Sequence, residues 1–175
     1  MKKIYLIMLV VLLPLRSFAG DGDNYLNIGG GWQTNIFDWE TAPHIANVTL
    51  GLELEGKYHN AWELNLDLAT AYVVCPTDHV VDSKSFFDYK SFGIGVAYKP
   101  VLSRAKNSLV RWRIGANIGA NDNGFQTAIT GGIEYSYSFK NRMQLFILQK
   151  NDIVFWSRDN FRNGVIIGLK LPLNN

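Results

Sequence analysis

This chain of 175 residues has one cysteine, three histidines, no large excess of either charge and, beyond residue 15, no long apolar run. Each absence excludes something. A single cysteine, Cys75, rules out an intramolecular disulfide. It leaves either a reactive or interchain thiol, or simply a small side chain at a strand end. Metal sites need convergent ligands at suitable spacing. His44, His59 and His79 are scattered, and the one local grouping, Cys75, Asp78, His79 and Asp82, follows no standard ligand spacing. A solvated loop accounts for it, and we expect neither metal nor cofactor.

The charge balance is equally restrictive. The formal net charge of +2 includes Lys2, Lys3 and Arg16; without them 14 basic residues face 15 acidic ones. A balanced chain has no general nucleic-acid footprint, so no direct nucleic-acid binding is expected. A membrane-spanning helix needs about 20 apolar residues, and nothing in the chain reaches that length.

What is present begins with a leader. Lys2 and Lys3 precede an apolar stretch at 4–15, followed by Ser17, Phe18 and Ala19. A basic start, a short apolar segment and small residues at −3 and −1 describe a secretory signal peptide; the alternative is an uncleaved anchor. We expect a signal peptide at 1–19, cleaved after Ala19, and one mature domain at 20–175. The residue directly after the cut is Gly20, not a cysteine that could carry a lipid.

The rest of the chain alternates apolar and polar residues in stretches of strand length. Trp62, Leu64, Leu66 and Leu68 share one parity, and Glu63, Asn65, Asp67 and Ala69 the other. Such alternation puts one set on each face of a strand. Eight segments qualify, at residues 24–32, 45–55, 61–74, 86–99, 109–120, 125–139, 143–156 and 163–173. In the seventh the phase blurs, because Phe146, Leu148 and Val154 are apolar on the parity opposite Met143, Leu145 and Ile147.

Connections follow a pattern too. Segments 57–60 and 140–142 are short, while 33–44 and 74–85 are long. Short periplasmic turns and longer external loops characterise membrane barrels. Segment 100–108 is long for a turn and 121–124 short for an external loop, so the match is imperfect.

The expected fold is therefore all-β: an eight-stranded antiparallel up-and-down transmembrane β-barrel. The main alternative is a soluble lipocalin-like barrel. The polar parity is rich in small residues with isolated charges, which suits the narrow interior of eight strands. The apolar parity carries Trp32, Trp62, Tyr72, Tyr98, Tyr137 and Phe139 near strand ends, as aromatic girdles do. That places the chain in a bacterial outer membrane, with lipid as its first partner.

Inward charges need partners in a confined interior. Glu53, Glu63, Asp67 and Glu134 should pair across the lumen with Arg111, Arg113 and Lys170, plugging the barrel. Large stable pores in a conductance assay would contradict that plug.

Catalytic motifs are weak. A PagL-type lipid A deacylase uses a His-x-Ser pair, in which a base activates a serine nucleophile. Here the corresponding stretch is Phe155-Trp156-Ser157-Arg158, with phenylalanine in the histidine position. Gly29-Gly30-Gly31 and Gly131-Gly132 lie inside strands with no following helix, which excludes a phosphate loop.

The C-terminal part carries a resemblance. Gly131-Gly132-Ile133-Glu134-Tyr135 is followed by Gln144-Leu145-Phe146-Ile147-Leu148-Gln149-Lys150-Asn151, then Val154-Phe155-Trp156-Ser157, then Asn163-Gly164-Val165-Ile166-Ile167-Gly168-Leu169-Lys170. Together these resemble the TraO family, conjugal transfer proteins encoded by conjugative transposons of Bacteroidetes. Lys99-Pro100-Val101-Leu102-Ser103 also looks like that family's central turn. The likeness runs from about residue 100 onward; before it, only the pattern matches, and Phe155-Trp156-Ser157 lacks the family's glycine before serine. The resemblance implies a non-enzymatic outer-membrane component of a DNA-transfer apparatus, with other transfer proteins as partners and no catalytic residues to carry over. Phe37 and Trp39, in an external loop, are candidate contact residues or a cover for the barrel mouth. A PagL-like lipid-A-modifying enzyme with an atypical site and a general adhesion or membrane-stability barrel stand as alternatives.

Overall fold

The computed structural model describes residues 22–34, 44–72, 89–121, 124–156 and 160–173; residues 1–19, expected to be a signal peptide, lie outside them. The described residues form nine strands: β1 (Asn24–Thr34), β2 (His44–Glu55), β3 (Ala61–Tyr72), β4 (Tyr89–Lys99), β5 (Val101–Arg104), β6 (Ser108–Asn121), β7 (Gly124–Ser138), β8 (Gln144–Phe155) and β9 (Phe161–Pro172). Every long strand pairs antiparallel with its neighbours, β4 with β6 and β1 with β9. The sheet therefore closes into an eight-stranded barrel, and β5 is a short extension of β4.

Proline explains the extra element. Pro100 has no N–H to give the ladder, yet its carbonyl still accepts from Trp112 N at 3.0 Å. The chain resumes as β5 against β6, with a bulge between Val101 and Ser103. Segment 100–108 is thus mostly strand, and its actual turn is closed by Ala105 N donating to Ser108 O at 2.8 Å. This corrects the expectation of a long connection there. Three tight connections, at 56–60, 105–107 and 139–143, now share one end of the barrel with residues 22 and 173. At the first, Gly56 N donates to Asn60 O at 2.8 Å and His59 takes a φ of 64°.

Alternation is strict around the barrel, and it points charge inward. Ile94, Ile114, Ile129 and Ile167 are each more than half exposed on the outer wall, whereas Glu53, Lys99, Arg111 and Lys170 are fully buried. β8 keeps one phase throughout: Phe146, Leu148 and Val154 face the lumen, and Gln149 and Asn151 face out. The blurred phase read from the sequence is an apolar patch inside the barrel, not a slip.

That patch is Phe146, Leu148 and Ile166. Its ring fits because two facing strands carry glycine. A Cβ on Gly168 would lie 2.6 Å from Phe146 Cε1 and 2.2 Å from the Ile28 carbonyl oxygen, and one on Gly29 would lie 2.9 Å from Phe146 Cζ. Aromatic residues mark both rims of the outer wall. Trp62 and Tyr98 pack at 5.0 Å and Tyr137 with Phe139 at 5.5 Å near the tight-turn end; Phe125 and Trp156 meet at 6.2 Å at the other.

Candidate functional site

Among the described residues, six carboxylates and six cations are buried: Glu53, Glu55, Glu63, Asp67, Glu134 and Asp152 against Lys99, Arg111, Arg113, Lys150, Arg162 and Lys170. The equality matters, because a narrow low-dielectric interior tolerates ionised groups only when they are paired. Two tiers of contacts achieve it.

The tier nearer the tight turns centres on Glu53. Its carboxylate accepts from Lys99 Nζ at 2.7 Å, Arg111 Nη1 at 2.5 Å and Lys170 Nζ at 2.8 Å. Glu134 accepts from Lys99 at 2.7 Å and from Lys170 at 2.5 Å. Arg113 grips one oxygen of Glu63 with Nε at 3.1 Å and Nη2 at 2.9 Å, and its Nη1 donates to Thr130 at 2.9 Å. Arg111 also pairs with Glu55, and Asn27 donates to both Glu53 and Glu63.

The upper tier crosses the barrel directly. Lys150 on β8 reaches Asp67 at 2.8 Å on β3, four strands away in either direction around the closed sheet. Asn65 and Asn117 each donate to the same Asp67 oxygen at 2.9 Å. Gln33 donates to Asp152 at 2.9 Å. Opposite walls are thus tied by charge-assisted bonds, the stronger class of hydrogen bond.

All seven residues expected in the lumen, Glu53, Glu63, Asp67, Arg111, Arg113, Glu134 and Lys170, are brought together there. Sequence reasoning missed Glu55, Lys99, Lys150, Asp152 and Arg162. Extending the period-two parity by one residue at strand ends, and holding it through β8, would have found them. Phe37 and Trp39 lie outside the described residues, as do the Cys75, Asp78, His79 and Asp82 grouping and Ser157. Phe155, in the position where a deacylase needs its base, faces outward.

Carboxylate oxygens of Glu53, Glu63 and Glu134 lie within 4.8 Å of one another, the spacing of a metal-ligand set. Lys99 bonds all three, so an ammonium already fills the centre of that triad. Its chemistry is that of an ion-pair cluster. Space is scarce as well. The void bounded by Arg113, Glu134, Phe146 and Lys150 is about 10 Å³, room for no more than one water. Above it, a recess of about 30 Å³ is lined by Asp67, Asn117, Lys150 and Asp152. Searches of known protein families and of curated proteins find no match to this chain.

Proposed function

We propose that this chain is an outer-membrane barrel with a closed lumen that anchors or positions a conjugal DNA-transfer assembly, without catalysing a reaction. The observation that carries the membrane placement is the polarity of the wall: among the described residues, apolar side chains face out on all eight long strands and twelve charges face in. A soluble barrel has the reverse arrangement, and soluble proteins rarely expose apolar patches beyond a few hundred Å². The eight long strands, 11 to 15 residues each, suffice for a tilted crossing. Short turns and both described ends then face the periplasm. The transfer role is supported by the resemblance to the TraO family from about residue 100 onward.

A plugged barrel has its loops, turns and outer wall left for function. The test is affinity recovery of the tagged full chain from gently solubilised native membranes. Transfer proteins should co-purify, and Phe37→Ala with Trp39→Ala should reduce their recovery while leaving the barrel folded. Recovery of the barrel alone, under conditions that keep other membrane complexes intact, rejects the docking role. Altered lipid A on expression would favour the enzyme instead.

A further inference from the structure

The outer wall is not uniformly apolar. On β8 the outward residues run Leu145, Ile147, Gln149, Asn151, Ile153 and Phe155, so two amides sit in the middle of a face that the proposed placement gives to lipid. Gln149 Nε2 donates to Asn151 Oδ1 at 2.9 Å, Asn151 Nδ2 donates back to Gln149 Oε1 at 3.1 Å, and Asn163 of β9 donates to Asn151. Beside them Gly131 leaves the wall indented: a Cβ there would meet nothing closer than 3.9 Å. The result is a groove of about 400 Å³, with Trp112, Ile114, Ile129, Ile133 and Ile153 around the amides.

We infer that this groove is the contact face between two copies of the chain. The inference rests on the membrane placement proposed above. Acyl tails offer no hydrogen bonds, so they leave the outward capacity of three amides unmet at bilayer depth. Amides carry donors and acceptors together, and a two-fold axis through the cluster sets each against its own complement. Polar amides and small residues are what membrane segments use to associate, because apolar area gives no advantage over lipid there. The glycine indentation admits a neighbouring wall closely, and Trp112, Ile133 and Ile153 supply a packed rim.

The test is thiol cross-linking in intact outer membranes, on the full chain carrying Cys75→Ser. Ile153→Cys should give a self-adduct at twice the monomer mass, whereas Leu68→Cys, on the far wall, should give none. Adding Gln149→Leu and Asn151→Leu, or separately Gly131→Leu, should lower the Ile153→Cys adduct at least tenfold. Each variant is first checked for the mobility shift of a folded barrel, and the two independent routes guard against one failing to fold. Absence of the chain from the outer-membrane fraction overturns the membrane placement and this inference with it. A folded, membrane-resident chain that gives no self-adduct, adducts only to other proteins, or adducts equally from Leu68→Cys overturns the pairing alone.

Discussion

Replacing Glu53 with leucine should destabilise the barrel by about 3–5 kcal/mol, the range for leaving buried charges without their partner. Glu53 is fully buried and receives Lys99, Arg111 and Lys170 at once. Its loss leaves the six described lumen cations facing five described carboxylates, and no other described acidic side chain touches all three of those donors. The double variant Glu53→Leu with Lys170→Leu restores the balance. Leucine at 170 also finds a neighbour, since Lys170 Nζ lies 5.7 Å from the centre of the Phe146 ring. The double variant should therefore be less damaged than the single one, by about 1 kcal/mol or more, a coupling typical of contacting residues. Urea titration of refolded protein in lipid vesicles, read by the electrophoretic shift of the folded barrel, measures both. Additive costs, or a single-variant cost near zero, would show that the network is dispensable.

Arginine in place of Ile94 should cost about 2–4 kcal/mol in a bilayer, the range for a cation on the lipid face near the midplane. Ile94 lies mid-strand on β4, half exposed, between Phe92 and Val96 on the same face. In water the same substitution adds a solvated charge to an exposed position and costs almost nothing. The two readings of the wall therefore differ by most of the effect. Tyr58→Arg, at an exposed position in the turn after β2, is the internal control and should be neutral. Equal costs at both positions, measured in vesicles, would remove the reason for placing this wall in lipid.

Much of this architecture is legible in the sequence because a barrel strand is a two-state pattern. Val48, Leu50 and Leu52 against Thr49, Gly51 and Glu53 already fix which residues share a face, and the structure keeps that register. The residues that escaped did so for local physical reasons. Lys99 is the last residue of β4, directly before Pro100, where end positions are least defined by pattern; its pairing with Ala61 keeps it on the inner parity with Ala97. Lys150 and Asp152 were obscured because Phe146, Leu148 and Val154 put apolar side chains on the inner parity of the same strand. An interior that mixes an apolar patch with ion pairs defeats a simple hydrophobicity count. Arg162 sits at the mouth of β9, two residues into the strand, where end positions are least defined by pattern. Glu53 and Glu63 are cross-strand partners in the β2–β3 hairpin, but their convergence with Glu134 of β7 on one ammonium was beyond reach, since it comes about only on closure. Gln149 and Asn151 become a feature of the outer wall only once the phase of β8 is known.

The most direct test of the membrane placement is the accessibility of a spin label on the outer wall. Ile94→Cys in a Cys75→Ser background, labelled and reconstituted in vesicles, should collide more often with dissolved oxygen than with a water-soluble nickel chelate. A label on Tyr58→Cys, in the turn, should show the opposite preference. If the label at 94 meets the chelate as readily as the label at 58 does, the outer wall faces water and the account fails.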